Sequence, residues 1–114
     1  MKNMKNKVQL IGNVGSAPEV KNLEGGKKVV KLSLATSDSY KNAAGERIKE
    51  TQWHNLVAWN KTAERAEKYL RKGSKIVVDG KLLNKSYIDK EGNKKYFTEI
   101  LVNDLMMLDA KKPE

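Results

Sequence analysis

The sequence predicts an all-β fold with one helix, a five-stranded Greek-key barrel with extended β-hairpins. Three observations predict it. Apolar and polar residues alternate with period two through VQLIGNV, KVVKLSLATS, TQWHNLVAW, SKIVVDGKLL and KYFTEILV, the signature of half-buried strands. One segment only, NKTAERAEKYLRKG, switches to helical spacing. Clusters such as NLEGGKK and DKEGN punctuate the alternating runs as turns. At 114 residues the chain is most simply one domain, long enough to bury about two thirds of the surface its unfolded form exposes.

Taken in order, Val8, Leu10, Gly12 and Val14 alternate with Lys7, Gln9, Ile11 and Asn13. They predict a long first strand with a glycine where the backbone bends or another backbone approaches. After the turn around Gly25 and Gly26, Val30, Leu32, Leu34 and Thr36 share one face of a second strand, which is expected to pair with the first like a hairpin. Asp38 to Glu50 is polar and carries Gly45, so it reads as a long loop or the tip of a β-ribbon. The third strand holds both tryptophans. Asn60 or Thr62 is expected to cap a helix through about Lys72, with Ala63, Ala66 and Leu70 inward and Gly73 as terminator. Ile76, Val78, Gly80 and Leu82 mark a fourth strand, and DKEGN joins two arms of a second ribbon bearing Tyr87, Tyr96 and Phe97. Val8, Leu10, Leu32, Leu34, Ile76, Val78, Ile100 and Val102 read as core or interface, and Tyr69 and Tyr96 as structural. Five main strands with one helix between the third and fourth is the element order of an OB-fold, whose strand face and loops bind oligonucleotides or oligosaccharides.

Composition narrows the function. Twenty-three lysines and arginines against 14 acidic residues give a formal charge of +9, so the chain attracts polyanions at long range. A merely solvated basic surface accounts for that charge equally well. The absence of cysteine excludes disulfides, thiolate metal sites and thiol nucleophiles. The one histidine, His54, has no partner ligand in sequence and reads as packed or at an interface. VQLIGNVG is too short and interrupted for a signal-peptide core. Apolar runs such as LMML, Leu105 to Leu108, fall far below the ~20 residues of a spanning helix. A soluble, cytoplasmic (nucleoid-associated) chain with no membrane contact and no cofactor is expected.

The tryptophans focus the question. Six residues in a helix turn the chain by roughly 240° and separate Trp53 from Trp59. In a strand Trp53, Asn55, Val57 and Trp59 line one face, with His54, Leu56 and Ala58 on the other. From the residues alone the two indoles fit an ordinary half-buried strand core better than a binding face. Three sharper motifs carry less. GNVG matches the GXXG clamp of KH domains but sits in or after a strand rather than between helices. Asp79-Gly80-Lys81 matches half of a metal-dependent nuclease signature without a clear second acidic ligand. GGKK lacks the Ser or Thr of a P-loop.

The blocks NKVQLIGNVGSAPEV, KLSLATSDSYKNAAGE, ETQWHNLVAWNKTAERAEKYLRKGSKIVVDGKL and YIDKEGNKKYFTEILV resemble, in order and over about Asn6 to Val102, the bacterial single-stranded DNA-binding (SSB) proteins. The resemblance implies a non-enzymatic OB-fold, usually a homotetramer with a dimer also possible, that coats single-stranded DNA without sequence preference. It implies base-stacking aromatics at Tyr40, Trp53, Trp59 and Tyr87. Tyrosine stands at Tyr40 and Tyr87 where tryptophan is frequent in the family, and Trp59 stands where phenylalanine is common. It further implies phosphate contacts from Lys7, Lys41, Arg47, Lys49, Lys61, Lys72 and Lys85. Asn55 is a neutral amide where a basic residue is familiar, which leaves one phosphate contact in question. The resemblance also reverses the reading of the tryptophans. Residues 1–5 are then an N-terminal extension, 6–108 the DNA-binding OB-fold and 109–114 a short tail. Family members usually end in an acidic tip that recruits repair and replication enzymes. This sequence stops at DAKKPE, so either it is a short type without that recruiting role or it has been shortened. Two other readings stay open: an RNA-binding or primosomal OB domain, and a nuclease dependent on Asp79.

Overall fold

The computed structural model describes residues 5–108. The expected extension and tail fall largely or wholly outside them. Strands β1 (Val8–Val14), β2 (Glu19–Asn22), β3 (Lys28–Lys41) and β4 (Arg47–Trp59) precede helix α1 (Asn60–Tyr69), and β5 (Lys75–Ile88) and β6 (Lys94–Met107) follow it. The strands are ordered β1-β5-β6-β4-β3-β2, and β1 also pairs with β3, which closes five of them into a barrel. The five-stranded barrel with one helix is the fold class read from the sequence, with β2 added at its edge.

Inward residues make the core. Val30, Leu34, Leu56, Ile76 and Val78 are fully buried, each contributing about 1.5–3 kcal/mol of burial free energy against leaving it exposed. Six of the eight residues expected in the core or at an interface are buried, and Val8 and Leu10 pack against the cluster from its margin. Ala63, Ala66 and Leu70 carry α1 onto that cluster, as their spacing requires. Arg65 ties the outer side of the helix to β6: it donates to Asp104 Oδ1 at 3.0 Å and to the Leu105 carbonyl at 2.9 Å. The Arg65 hydrogen bond, with that from the Leu105 amide, holds the Asp104 carboxyl below the usual carboxylate range.

Three expectations are corrected. The first strand is not the hairpin partner of the second: β1 meets β3 only at Asn13–Ala35 and Val14–Leu34, and its long antiparallel pairing is with β5. The hairpin partner of β3 is β2, a four-residue strand that alternation is too short to reveal. The helix ends at Tyr69 rather than Lys72, because Leu70 is already extended at φ −92°, ψ 141°. Gly73, at φ +94°, serves instead the turn in which Ser74 N–H donates to Arg71 at 2.9 Å. Neither expected cap sits before the helix. Trp59 does, with no side-chain cap, and Asn60 takes φ +53° and accepts from the Lys28 amide at 3.4 Å. The Asp38–Glu50 segment adopts the ribbon alternative, since β3 and β4 stay paired out to Lys41–Arg47.

Gly12 fills the role read for it. A methyl group there would lie 2.2 Å from the Ala35 carbonyl oxygen, and one at Gly80 equally close to the Leu101 carbonyl oxygen. Both neighbours are backbone in paired strands and cannot swing aside. Gly12→Ala is therefore expected to destabilise the fold by about 2 kcal/mol or more, read as a lower urea midpoint with an unchanged slope. Gln9→Ala, on the exposed face of the same strand, should stay within about 0.5 kcal/mol. Equal midpoints for the two variants would mean that β1 and β3 do not approach this closely.

Candidate nucleic-acid interface

Residues paired in register share a face of a sheet. Across β3 and β4, Ser33 stands opposite Asn55, Lys31 opposite Val57, Ala35 opposite Trp53 and Val29 opposite Trp59. The parallel pairing of Val57 with Leu101 carries this outer face onto β6. The β5 register then adds Lys81 opposite Leu101, Leu83 opposite Glu99, Lys85 opposite Phe97 and Tyr87 opposite Lys95. Trp53, Asn55, Trp59, Lys85 and Tyr87 thus stand on one continuous outer surface. Trp53 is 64% exposed, Tyr87 53% and Trp59 40%, whereas Val57 between the tryptophans is buried. Indoles left this open do not serve the core, whose apolar residues point the other way. His54, on the inner face, is half-buried and lies 2.9 Å from the Thr36 hydroxyl, so it is the packed histidine the sequence suggests.

Trp53 owes its position to a glycine. A Cβ on Gly15 would come within 2.2 Å of the indole edge at Cζ3 and 2.9 Å of the Ser33 hydroxyl, so the ring rests on bare backbone just past β1. The Gly15 amide donates to the Ser33 carbonyl at 2.9 Å, and the Ser16 and Ser33 hydroxyls lie 3.2 Å apart. The second glycine of GNVG is therefore no backbone clamp; it makes room for an aromatic ring. At the other side of the face, Tyr87 packs at 60° against Phe97 with ring centroids 5.9 Å apart.

The remaining expected residues are dispersed. Lys41, Arg47 and Lys49 lie at the distal end of the β3–β4 ribbon, where Lys41 faces Arg47 and Arg47 donates to the Ser39 hydroxyl at 3.2 Å. In β4 Arg47 and Lys49 fall on the same alternation as Trp53, and Lys41 joins that face through its pairing with Arg47. Tyr40, half exposed, falls on the opposite alternation, paired with Ile48. It therefore belongs to the reverse side of the ribbon from Trp53. Lys61 is exposed in the first turn of α1, and Lys72 is exposed in the turn between α1 and β5. Lys7 pairs with Asp79 at 3.3 Å on the β1–β5 side, which also engages the acidic residue of the Asp79-Gly80-Lys81 motif. Tyr69 and Tyr96, read as structural, are exposed instead, with Lys68 and Lys94 ammonium groups 5.3 and 5.6 Å from their ring centres.

Sequence reasoning missed Lys31 and Glu99. Glu99 is 5% exposed in the middle of this basic, aromatic surface, with Lys85 Nζ 3.1 Å from Oε1 and Lys31 Nζ 3.8 Å from Oε2. A groove of about 260 Å³ opens beside it, lined by Ser16, Glu19, Lys31, Ser33 and Asn55 among others. No composition signal marks Glu99, because a glutamate at a polar position of an alternating strand reads as solvated.

Known proteins resemble this one in sequence and in fold. A model of the single-strand binding protein family matches residues 5–108. The single-stranded DNA-binding protein 1 of Chlorobaculum tepidum is 44% identical over 107 residues, which is 93% of this chain and 66% of that protein. The single-stranded DNA-binding protein of Bacteroides thetaiotaomicron is 47% identical over 108 residues, 93% of this chain and 67% of its own length. The chain thus spans about two thirds of these curated relatives. Among solved structures, the Plasmodium falciparum SSB complex with ssDNA aligns with a TM-score of 0.83 and 36% identity, covering 96% of this chain and 99% of that one. A deletion mutant of the single-stranded DNA-binding protein from Thermus aquaticus aligns with a TM-score of 0.78 and 26% identity over 93% of this chain and 51% of that one. With an OB barrel, an open aromatic face and a match across every described residue, the chain belongs to the single-strand binding protein family, whose members are non-enzymatic DNA-binding proteins.

Proposed function

We propose that the chain coats single-stranded DNA by stacking bases on Trp53, Trp59 and Tyr87 while lysines and arginines hold the phosphates. It would thereby protect unwound DNA during replication, recombination and repair in the cytoplasm. The observation that carries this reading is the exposure of those three aromatics on one outer face beside Lys31 and Lys85. Every base offers a π-face, so such a platform tolerates any sequence, at roughly 1–3 kcal/mol per stacked base. A duplex hides those faces. Tyr40 and the cations Lys41, Arg47 and Lys49 extend the surface along the first ribbon, where a strand wrapping its edge meets both sides. Lys61 and Lys72 offer phosphate contacts at the helical end. Lys7 contributes only by exchanging Asp79 for a phosphate.

Self-association, as a homotetramer or a dimer, belongs to the same proposal. Val8 to Gly12 pair with β5 alone, so one edge of β1 offers unpaired backbone to a second copy. Ile11 and Met106 stand exposed on the outer face, each opposite Val77 in register.

Titration with oligothymidylate should quench the tryptophan fluorescence strongly, and an equal-length blunt duplex should not. Trp53→Ala should cost about 1–3 kcal/mol of single-strand affinity. If about six phosphates are engaged, the log–log salt slope should lie near −4. Absence of both quenching and binding with the single strand would defeat the proposal. Gly15→Ala should keep the fold, since only side-chain groups, the rim of an exposed indole and the Ser33 hydroxyl, must move, yet weaken single-strand binding by about 1 kcal/mol, the low end of one base stack. Unchanged affinity and emission would mean that the seat of Trp53 does not matter. Light scattering should return four times the 12.9 kDa chain mass, or twice it for a dimer; the monomer mass would remove self-association from the proposal.

A further inference from the structure

A carboxylate at the centre of a surface for polyanions requires a physical reason. Glu99 is buried on the outer face, opposite Leu83 in the β5–β6 register. Lys85 Nζ lies 3.1 Å from its Oε1 and Lys31 Nζ 3.8 Å from its Oε2, and both lysine side chains are about half exposed. One carboxylate thus engages two ammonium groups that a phosphate would otherwise meet uncommitted. Glu19 adds a second acidic group, since it stands opposite Lys31 in the β2–β3 register and lines the same groove.

The arrangement separates charge from stacking. Near Trp53, Lys31 and Lys85 are paired and Asn55 is a neutral amide. Other cations flank this centre: Lys41, Arg47 and Lys49 at the distal end of the first ribbon, Lys81 opposite Leu101 and Lys95 opposite Tyr87. A lysine that turns from Glu99 to a phosphate gains one ion pair but removes compensation from a buried carboxylate, which is unfavourable. The net gain is small. Stacking carries no such offset, because the indoles are already open to solvent.

We propose that Glu99 is an internal competitor for phosphate: by holding Lys31 and Lys85 it lowers what the backbone of a bound strand contributes at the centre of the face. Base stacking then dominates there, and a chain of phosphates without bases gains little from this part of the surface. The proposal rests on the single-strand reading above and gives that reading a tuning residue that touches no nucleotide. Its signature is electrostatic. Each phosphate neutralised adds about 0.7 to the log–log salt slope of single-strand binding, so freeing both lysines should steepen the slope by about 1.4.

The test compares the wild-type protein with Glu99→Gln, which keeps the shape of the side chain and removes its charge. Two end-labelled probes of equal length are used, oligothymidylate and the same sugar-phosphate backbone with abasic residues throughout. Dissociation constants come from fluorescence anisotropy over a range of salt, beside the tryptophan quenching by oligothymidylate. Glu99→Gln should bind both probes about tenfold more tightly at moderate salt, with the difference closing toward about 1 M and the slope steeper by about 1.4. The maximal quenching should not change. Glu99→Met should behave in the same way and carries the comparison if Glu99→Gln does not fold. Weaker binding of either probe, or a slope no steeper than that of the wild type, overturns the proposal while leaving the single-strand function standing. So does a gain confined to oligothymidylate, which would place the influence of Glu99 on the aromatic rings instead of the phosphates. Failure of the wild-type protein to bind oligothymidylate overturns the single-strand reading itself.

Discussion

The fold depends on how closely β1 can approach β3. Five strands make a barrel only if the first pairs on both sides, and β1 does so by bending at Gly12, where any side chain would strike the Ala35 carbonyl. The consequences run along the chain. Val14 is carried inward to pair with Leu34, its amide donates to the Ser74 carbonyl and its carbonyl accepts from Gly73. Gly15 is then delivered onto β3 through the Ser33 carbonyl, and the Trp53 indole lies over it. One close backbone contact thus sets both the closure of the core and the seat of the most exposed tryptophan.

Period-two alternation divides the labour. Inward positions of β3, β4, β5 and β6 supply the apolar cluster, and outward positions are left for solvent and ligand. These four strands are 13 or 14 residues long, about twice the common strand length, so each pair continues past the barrel as a ribbon. Both ribbons end in the same chemistry. Asn42 Oδ1 accepts from the Ala44 and Glu46 amides, and Asp89 Oδ1 from the Glu91 and Asn93 amides, while Gly45 and Gly92 take positive φ. Tight polar tips let the ribbons extend the outer surface without needing a core of their own.

What was legible in the sequence follows from which interactions are local. Alternation placed the main strands, and helical spacing found Ala63, Ala66 and Leu70. The sharing of one face by Trp53, Asn55 and Trp59 needed only period two. β2 escaped because EVKN is too short to show a period, and the helix end because Leu70 serves the core equally well from extended backbone. Tyr40 was grouped with the tryptophans by the family resemblance, yet its alternation along β3 places it on the other side of the ribbon. Gly15 and Glu99 were illegible for a different reason. What makes them matter arrives from other strands: Trp53 from β4 for the glycine, Lys31 from β3 and Lys85 from β5 for the glutamate. No window of the sequence contains those encounters.

Charge acts here at two ranges, and the distinction bears on how a basic surface discriminates at all. The excess of +9 works over roughly a Debye length of 10 Å at moderate salt. It draws any polyanion, duplex or single strand, toward the barrel. In the proposed binding mode selection begins on contact, where exposed indoles reward unpaired bases and offer a duplex nothing. At that distance a single buried carboxylate matters more than its share of the net charge. Held between Lys31 and Lys85, it keeps two ammonium groups gathered on the face, and each is free to exchange one oxygen anion for another when a phosphate arrives. The exchange replaces one ion pair by a similar one, so it adds little net affinity. In the proposed binding mode it would set where the backbone sits relative to the aromatic platform.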